Sequence, residues 1–77
     1  MIPHDLLTEF PADRAKIEAL KGTDAHFARL VSEYQDLNRA VYDAASRLAP
    51  TDEAHEEEMR RKRLALKDEI RRMLQAA

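Results

Sequence analysis

From Phe27 onward the apolar residues are spaced in a way that leaves little choice of fold. Phe27, Leu30, Tyr34, Leu37, Val41, Ala44 and Leu48 are separated by 3, 4, 3, 4, 3 and 4 positions. This is a heptad seam, a pattern that an α-helix turns into one continuous stripe. A second seam follows Pro50: Met59, Leu66, Ile70, Met73 and Ala77. Met59, Leu66 and Met73 share one heptad position. Arg63, Ile70 and Ala77 share the other, so Arg63 interrupts the pattern.

Punctuation residues bound the helices. Thr23 or Asp24 caps the first long one, which runs to about Leu48 because Pro50 disfavours helix at Ala49. Thr51 or Asp52 caps the next, which reaches about Gln75. The link Ala49-Pro50-Thr51 is short enough to force antiparallel neighbours. Folding the chain at Pro50 sets Val41 against Met59, Tyr34 against Leu66, Leu30 against Ile70 and Phe27 against Met73, with Leu37 opposite Arg63. A shorter helix precedes them. Pro11 suits its first position, Asp13 suits its first turn, Ile17 and Leu20 make a short apolar face, and Gly22 stops it after Lys21. The chain is therefore read as all-α: an antiparallel two-helix hairpin of coiled-coil character preceded by a short N-terminal helix. It forms a single domain over residues 1–77, with helices at about 11–21, 24–48 and 52–75.

Composition narrows the function classes. One Gly and 36% charged residues favour helix over sheet, and the absence of Cys removes disulfides, thiol chemistry and Cys-based zinc sites. A net charge of -2 argues against a dedicated nucleic-acid binder but leaves room for a local basic patch. Met1-Ile2-Pro3-His4-Asp5-Leu6-Leu7 has no basic region followed by a long apolar run, and no stretch approaches a membrane span. A cytoplasmic protein without membrane attachment is expected.

Phe10-Pro11, Ile17-Glu18-Ala19-Leu20-Lys21 and Asp24-Ala25-His26-Phe27-Ala28-Arg29-Leu30 resemble the opening half of the YdcH-like family. Leu64-Ala65-Leu66-Lys67-Asp68-Glu69-Ile70 resembles that family's closing signature. The resemblance covers about Phe10 to Leu74 and implies a small bacterial helical hairpin of coiled-coil character. It supplies no catalytic residues and no activity, because the family is a domain of unknown function. Members often carry an acidic or basic polar pair after the leucine in the middle of the long helix. Here Leu37-Asn38-Arg39-Ala40-Val41 is more neutral, a departure expected to alter pairing with the third helix.

The stretch Glu56-Glu57-Glu58-Met59-Arg60-Arg61-Lys62-Arg63 is the most distinctive charge feature. Glu four positions before a base is the favourable helical orientation, and Glu56–Arg60, Glu57–Arg61 and Glu58–Lys62 all have it. An ion-paired, solvated face is the leading reading. Arg60, Arg63, Lys67 and Arg71 also fall on one side of the helix, making them the candidate nucleic-acid stripe, although no aromatic is interleaved to stack on bases. Lys67 and Glu69 flank the seam and are read as forming interhelix ion pairs. His4, His26 and His55 show no metal-ligand spacing, so no metal or cofactor is expected. Lys21-Gly22-Thr23 has letters of a phosphate-binding loop but lacks its strand and first glycine.

Some apolar residues lie off the seam. Leu64 falls on the outer face, and Val31 and Leu74 on its flank, while Ile17 and Leu20 belong to the first helix. Either the first helix or a second copy of the chain must cover them, so Val31, Leu64, Leu74, Ile17 and Leu20 are the candidate protein contacts. The functional expectation is a non-enzymatic, self-associating interaction module, a homodimer or higher homo-oligomer with room for a further protein partner. The alternative is a nucleic-acid-binding accessory protein that uses the basic stripe.

Overall fold

The computed structural model describes residues 4–46 and 52–77. Two long helices dominate it. In each, an aspartate with extended backbone turns its carboxylate onto the first exposed amides. Asp24 accepts from the Phe27 N–H at 3.1 Å and opens a helix over Ala25–Ala45. Asp52 accepts from the His55 N–H at 2.7 Å and opens one over Glu53–Ala76. Such a cap satisfies a backbone donor that the helix cannot, typically stabilising it by about 1 kcal/mol. The stretch expected to end the first long helix at Leu48, and the link through Pro50, lie outside the described residues.

The two helices pack along the expected seams. Val41, Ala44 and Met59 form one buried cluster, joined by the partly buried Leu37 and Ala40. Phe27, Leu30, Tyr34 and Ile70 belong to a second, larger cluster, against which Leu66 and Met73 pack. Each of the four apolar pairs set up by folding the chain at Pro50 falls within one of these clusters.

The segment ahead of the hairpin is more elaborate than one helix. A single turn, α1 (Leu6–Glu9), is capped by the Asp5 carboxylate, which accepts from the Leu7 N–H. A 3-10 turn over Pro11–Asp13 follows, then α2 (Arg14–Thr23). The two long helices are accordingly α3 (Ala25–Ala45) and α4 (Glu53–Ala76). Gly22 does not end α2. The helix runs through it to Thr23, and Gly22 does not take a positive φ. Asp24 does the stopping: its N–H closes α2 on the Leu20 carbonyl while its side chain opens α3. One residue thus serves two helices, and no left-handed glycine is required.

Together, α1, the 3-10 turn and α2 form a strap across one face of the hairpin. Leu6, Phe10 and Ile17 insert against Val31, Tyr34 and Leu74, with Leu7 and Leu20 packed at the edge. Burying a side chain such as Leu6 or Ile17 this fully contributes roughly 1.5–3 kcal/mol. At the far end Lys16 Nζ donates to the Leu74 carbonyl at 3.1 Å, placing a cation on the closing turns of α4. This packing corrects three of the candidate outer contacts. Ile17, Val31 and Leu74 are only 1, 2 and 2% exposed, because the chain's own strap covers the flank of the seam. Leu20 is half-buried in the same cluster.

Candidate functional site

On the strap side, the four bases of the candidate nucleic-acid stripe all have partners within the chain. Arg60 pairs with Glu56 one turn back. Arg63 Nη1 donates to Asn38 Oδ1 at 3.0 Å. Lys67 Nζ lies 3.6 Å from Glu9 Oε1 in the strap. Arg71 Nη1 lies 2.8 Å from Asp68 Oδ1, and its guanidinium sits 5.7 Å from the centre of the Phe10 ring. The stripe predicted from helical spacing is therefore real as a line of residues, with three of its bases facing carboxylates and Arg63 held by a neutral amide. The pairs Glu57–Arg61 and Glu58–Lys62 also form, at 3.6 and 3.3 Å, so the i,i+4 reading of the charge block holds for all three pairs.

Glu9 is a small electrostatic hub. His4 Nδ1 lies 2.6 Å from Glu9 Oε1, and Lys67 approaches the same oxygen. The hydrogen bond with His4 is the main influence holding the Glu9 carboxyl below its ordinary range, with partial burial opposing it and Lys67 assisting. Just inside, the Tyr34 hydroxyl donates to the His4 backbone carbonyl at 2.5 Å. Burial pushes the Tyr34 phenol up to about 12, helped by the Glu9 charge. His26 faces solvent and lies 3.3 Å from Glu69 across the hairpin. Glu69 thus meets a side chain of α3 across the hairpin, whereas Lys67, read as an interhelix partner beside the seam, turns to Glu9 of the strap.

The opposite face is bare. There Glu33, Asp36, Leu37 and Ala40 of α3 and Lys62, Ala65 and Leu66 of α4 line a shallow groove of about 600 Å³ that opens to solvent. Helical geometry accounts for its position. Val31, Tyr34 and Asn38 point toward the strap, and positions 33, 36, 37 and 40 lie around the far side of the same helix. The floor is apolar, while one rim carries two acids and the other a lysine. Spacing places Leu37 and Leu66 on the seam, but it does not reveal that their outer edges join Ala40 and Ala65 in one groove. The available signal was the strap's length: two short helical pieces cover one face of a hairpin, not two.

Leu64 belongs to neither face's packing. It is 55% exposed and stands on the outer side of α4, between Arg60 four positions before it and Lys67 three positions after. Single exposed leucines are common on proteins. Among the described residues, no group of three His, Cys, Asp or Glu is arranged to hold a metal ion. Among them, too, no helix is long and apolar enough to cross a membrane.

A helical hairpin with a strap on one face and a bare apolar groove on the other defines the structural class. The family model described as "Protein of unknown function (DUF465)" matches residues 27–74, and the chain belongs to that family, the YdcH-like family its motifs resemble. The match spans the hairpin from the first turn of α3 to the end of α4. The strap, including the motif residues from Phe10 to Lys21, lies outside it. No curated protein and no solved structure matches the chain.

Proposed function

We propose that this chain is a cytoplasmic, self-associating protein-interaction module with no catalytic role. The observation that carries the reading is the bare groove over Leu37, Ala40, Ala65 and Leu66 on a hairpin whose other face is already covered. A chain of this length buries a smaller fraction of its surface than a larger domain does, and pairing hairpins into a larger helical bundle is the common remedy. The internal pairing of Arg60, Arg63, Lys67 and Arg71 weighs against nucleic acid as the partner, because counterion release needs cations free to meet phosphate. Sedimentation over a concentration series tests the proposal. A dimer or larger species in the micromolar range is expected. A cooperatively melting, fully helical monomer at high micromolar concentration would overturn it.

A further inference from the structure

The occupant of the groove can be argued from its rims. Glu33 and Asp36 stand on the α3 side and Lys62 on the α4 side, all lining one groove and so lying along the same short length of the hairpin. Among the described residues neither Glu33 nor Asp36 has an ion-pair partner, whereas Lys62 has only the exposed Glu58. Two hairpins can meet groove to groove about two kinds of two-fold axis. An axis running across the helices would lay α3 on α3 and α4 on α4, setting the acids of one copy against the same acids of the other and lysine against lysine. An axis parallel to the helices lays α3 of each copy on α4 of the other and leaves every residue at its own level. The acidic rim then meets the basic rim twice, once on each side of the axis. Like charges brought together at an interface cost several kcal/mol, so the second arrangement is the compatible one.

Size points the same way. The molecule is 38 Å long and 17 to 21 Å across, so one face spans roughly 650–800 Å². A stable protein interface takes about 800 Å² from each partner. A single added helix, about 10–12 Å wide, would leave part of that face uncovered. A second hairpin has the width to cover it. Ala40 and Ala65 present small side chains to the groove, which allows close approach of the facing helices.

We propose that the groove between α3 and α4 is the docking surface for a second copy of this chain, related by a two-fold axis parallel to the helices, with Glu33 and Asp36 of one copy facing Lys62 of the other. This rests on the self-association reading and specifies the surface and geometry. The resulting dimer stacks two hairpins into a four-helix bundle with one strap on each outer side.

Three measurements test it together. Sedimentation of the wild-type chain reads self-association itself. Ala40→Glu places a carboxylate in the groove at a half-exposed helical position and should weaken the dimer at least about a hundred-fold, with helical circular dichroism unchanged. Leu64→Glu, on the outer side of α4, should leave the dimer intact. The chain has no cysteine, so chains carrying Asp36→Cys can be mixed with chains carrying Lys62→Cys and oxidised. Mixed disulfides should exceed the two-to-one excess over each homodisulfide that random pairing of an equimolar mixture gives. If the wild type associates while Ala40→Glu associates equally tightly, or the cysteine mixture shows no preference, this surface is wrong and self-association stands. If the wild type stays monomeric at several hundred micromolar, both fall. Should Ala40→Glu fail to fold, the cysteine mixture decides alone.

Discussion

Arg63 crosses the interhelix seam and donates from Nη1 to Oδ1 of Asn38 at 3.0 Å. This contact explains the one flaw in the α4 heptad pattern. Asn38 is 4% exposed, so its amide is inside the fold and needs a partner there. Asn38, an uncharged amide on α3, is matched to an arginine from the facing helix. A slip of one heptad would set Asn38 against Ile70 and strand both polar groups. A single buried polar contact can in this way specify register at some cost in stability.

Asn38→Leu should destabilise the fold by about 1–3 kcal/mol, because Arg63 loses its Asn38 acceptor within a half-buried seam. Combining it with Arg63→Leu should recover most of that loss, since two apolar groups can replace a satisfied polar pair. Urea denaturation of both single variants and the double variant gives the coupling directly. Strictly additive effects would show that the two side chains do not act as a pair.

Tyr34 ties the strap to the hairpin through its hydroxyl on the His4 carbonyl. Tyr34→Phe should cost about 0.5–1.5 kcal/mol and speed amide exchange in residues 5–10 more than in the middle of α3. The phenol also predicts an alkaline limb. Its folded-state pKa is raised from 10.0 to about 12, so the native state favours the protonated form. Its contribution is fully present below pH 10 and is lost as the pH rises toward 12. Denaturation midpoints between pH 9 and 12 should fall more steeply for the wild type than for Tyr34→Phe; parallel curves would remove the argument.

Glu9 makes the opposite prediction at acid pH. Its carboxyl is held below the ordinary 4.5, first by the hydrogen bond with His4 and further by Lys67. A depressed acid contributes stability that is present above the unfolded-state value and is lost as pH falls through the folded-state value. Glu9→Gln should therefore flatten the acid limb of the stability profile below about pH 4.5 and change its shape little near neutrality. Thermal melts in a pH series compare the two limbs. The same substitution frees Lys67 from its strap partner, so amide exchange in α1 is a second readout.

The hairpin was legible because its signals are local and periodic. Six apolar residues at 3–4 spacing in α3, the seam from Met59 to Met73 in α4 and two capping aspartates mark the long helices, and the ion pairs of Glu56, Glu57 and Glu58 follow from spacing alone. The strap was less legible. Leu6 and Phe10 carry no periodicity in so short a segment, and their burial depends on meeting Val31, Tyr34 and Leu74 from elsewhere in the chain. For the same reason the spacing leaves open whether the first helix or a second copy covers Val31 and Leu74, and the strap decides it. The stretch around Asn38 was expected to alter pairing with the next long helix, but its partner lies 25 positions away and spacing alone does not name it. The groove escaped notice because a seam pattern says which residues meet, not which of their edges stay in water.

Gly22 offers a test in which the sign of the effect decides between two local structures. Had it ended α2 in a left-handed conformation, a side chain there would strain the backbone, and Gly22→Ala would destabilise the protein. It lies instead inside the last turn of α2 without a positive φ, and a Cβ added to it meets nothing within 4 Å. Alanine fits that backbone and lowers the conformational freedom of the unfolded chain, so Gly22→Ala should stabilise the fold by about 0.4–1 kcal/mol. For a domain of this size the melting temperature should rise by roughly 2–8 °C. A fall would show that Gly22, not Asp24, terminates the helix. A rise would leave Asp24 as the residue that closes α2 and opens α3, and Asp24→Ala should then loosen both helices where the strap joins the hairpin.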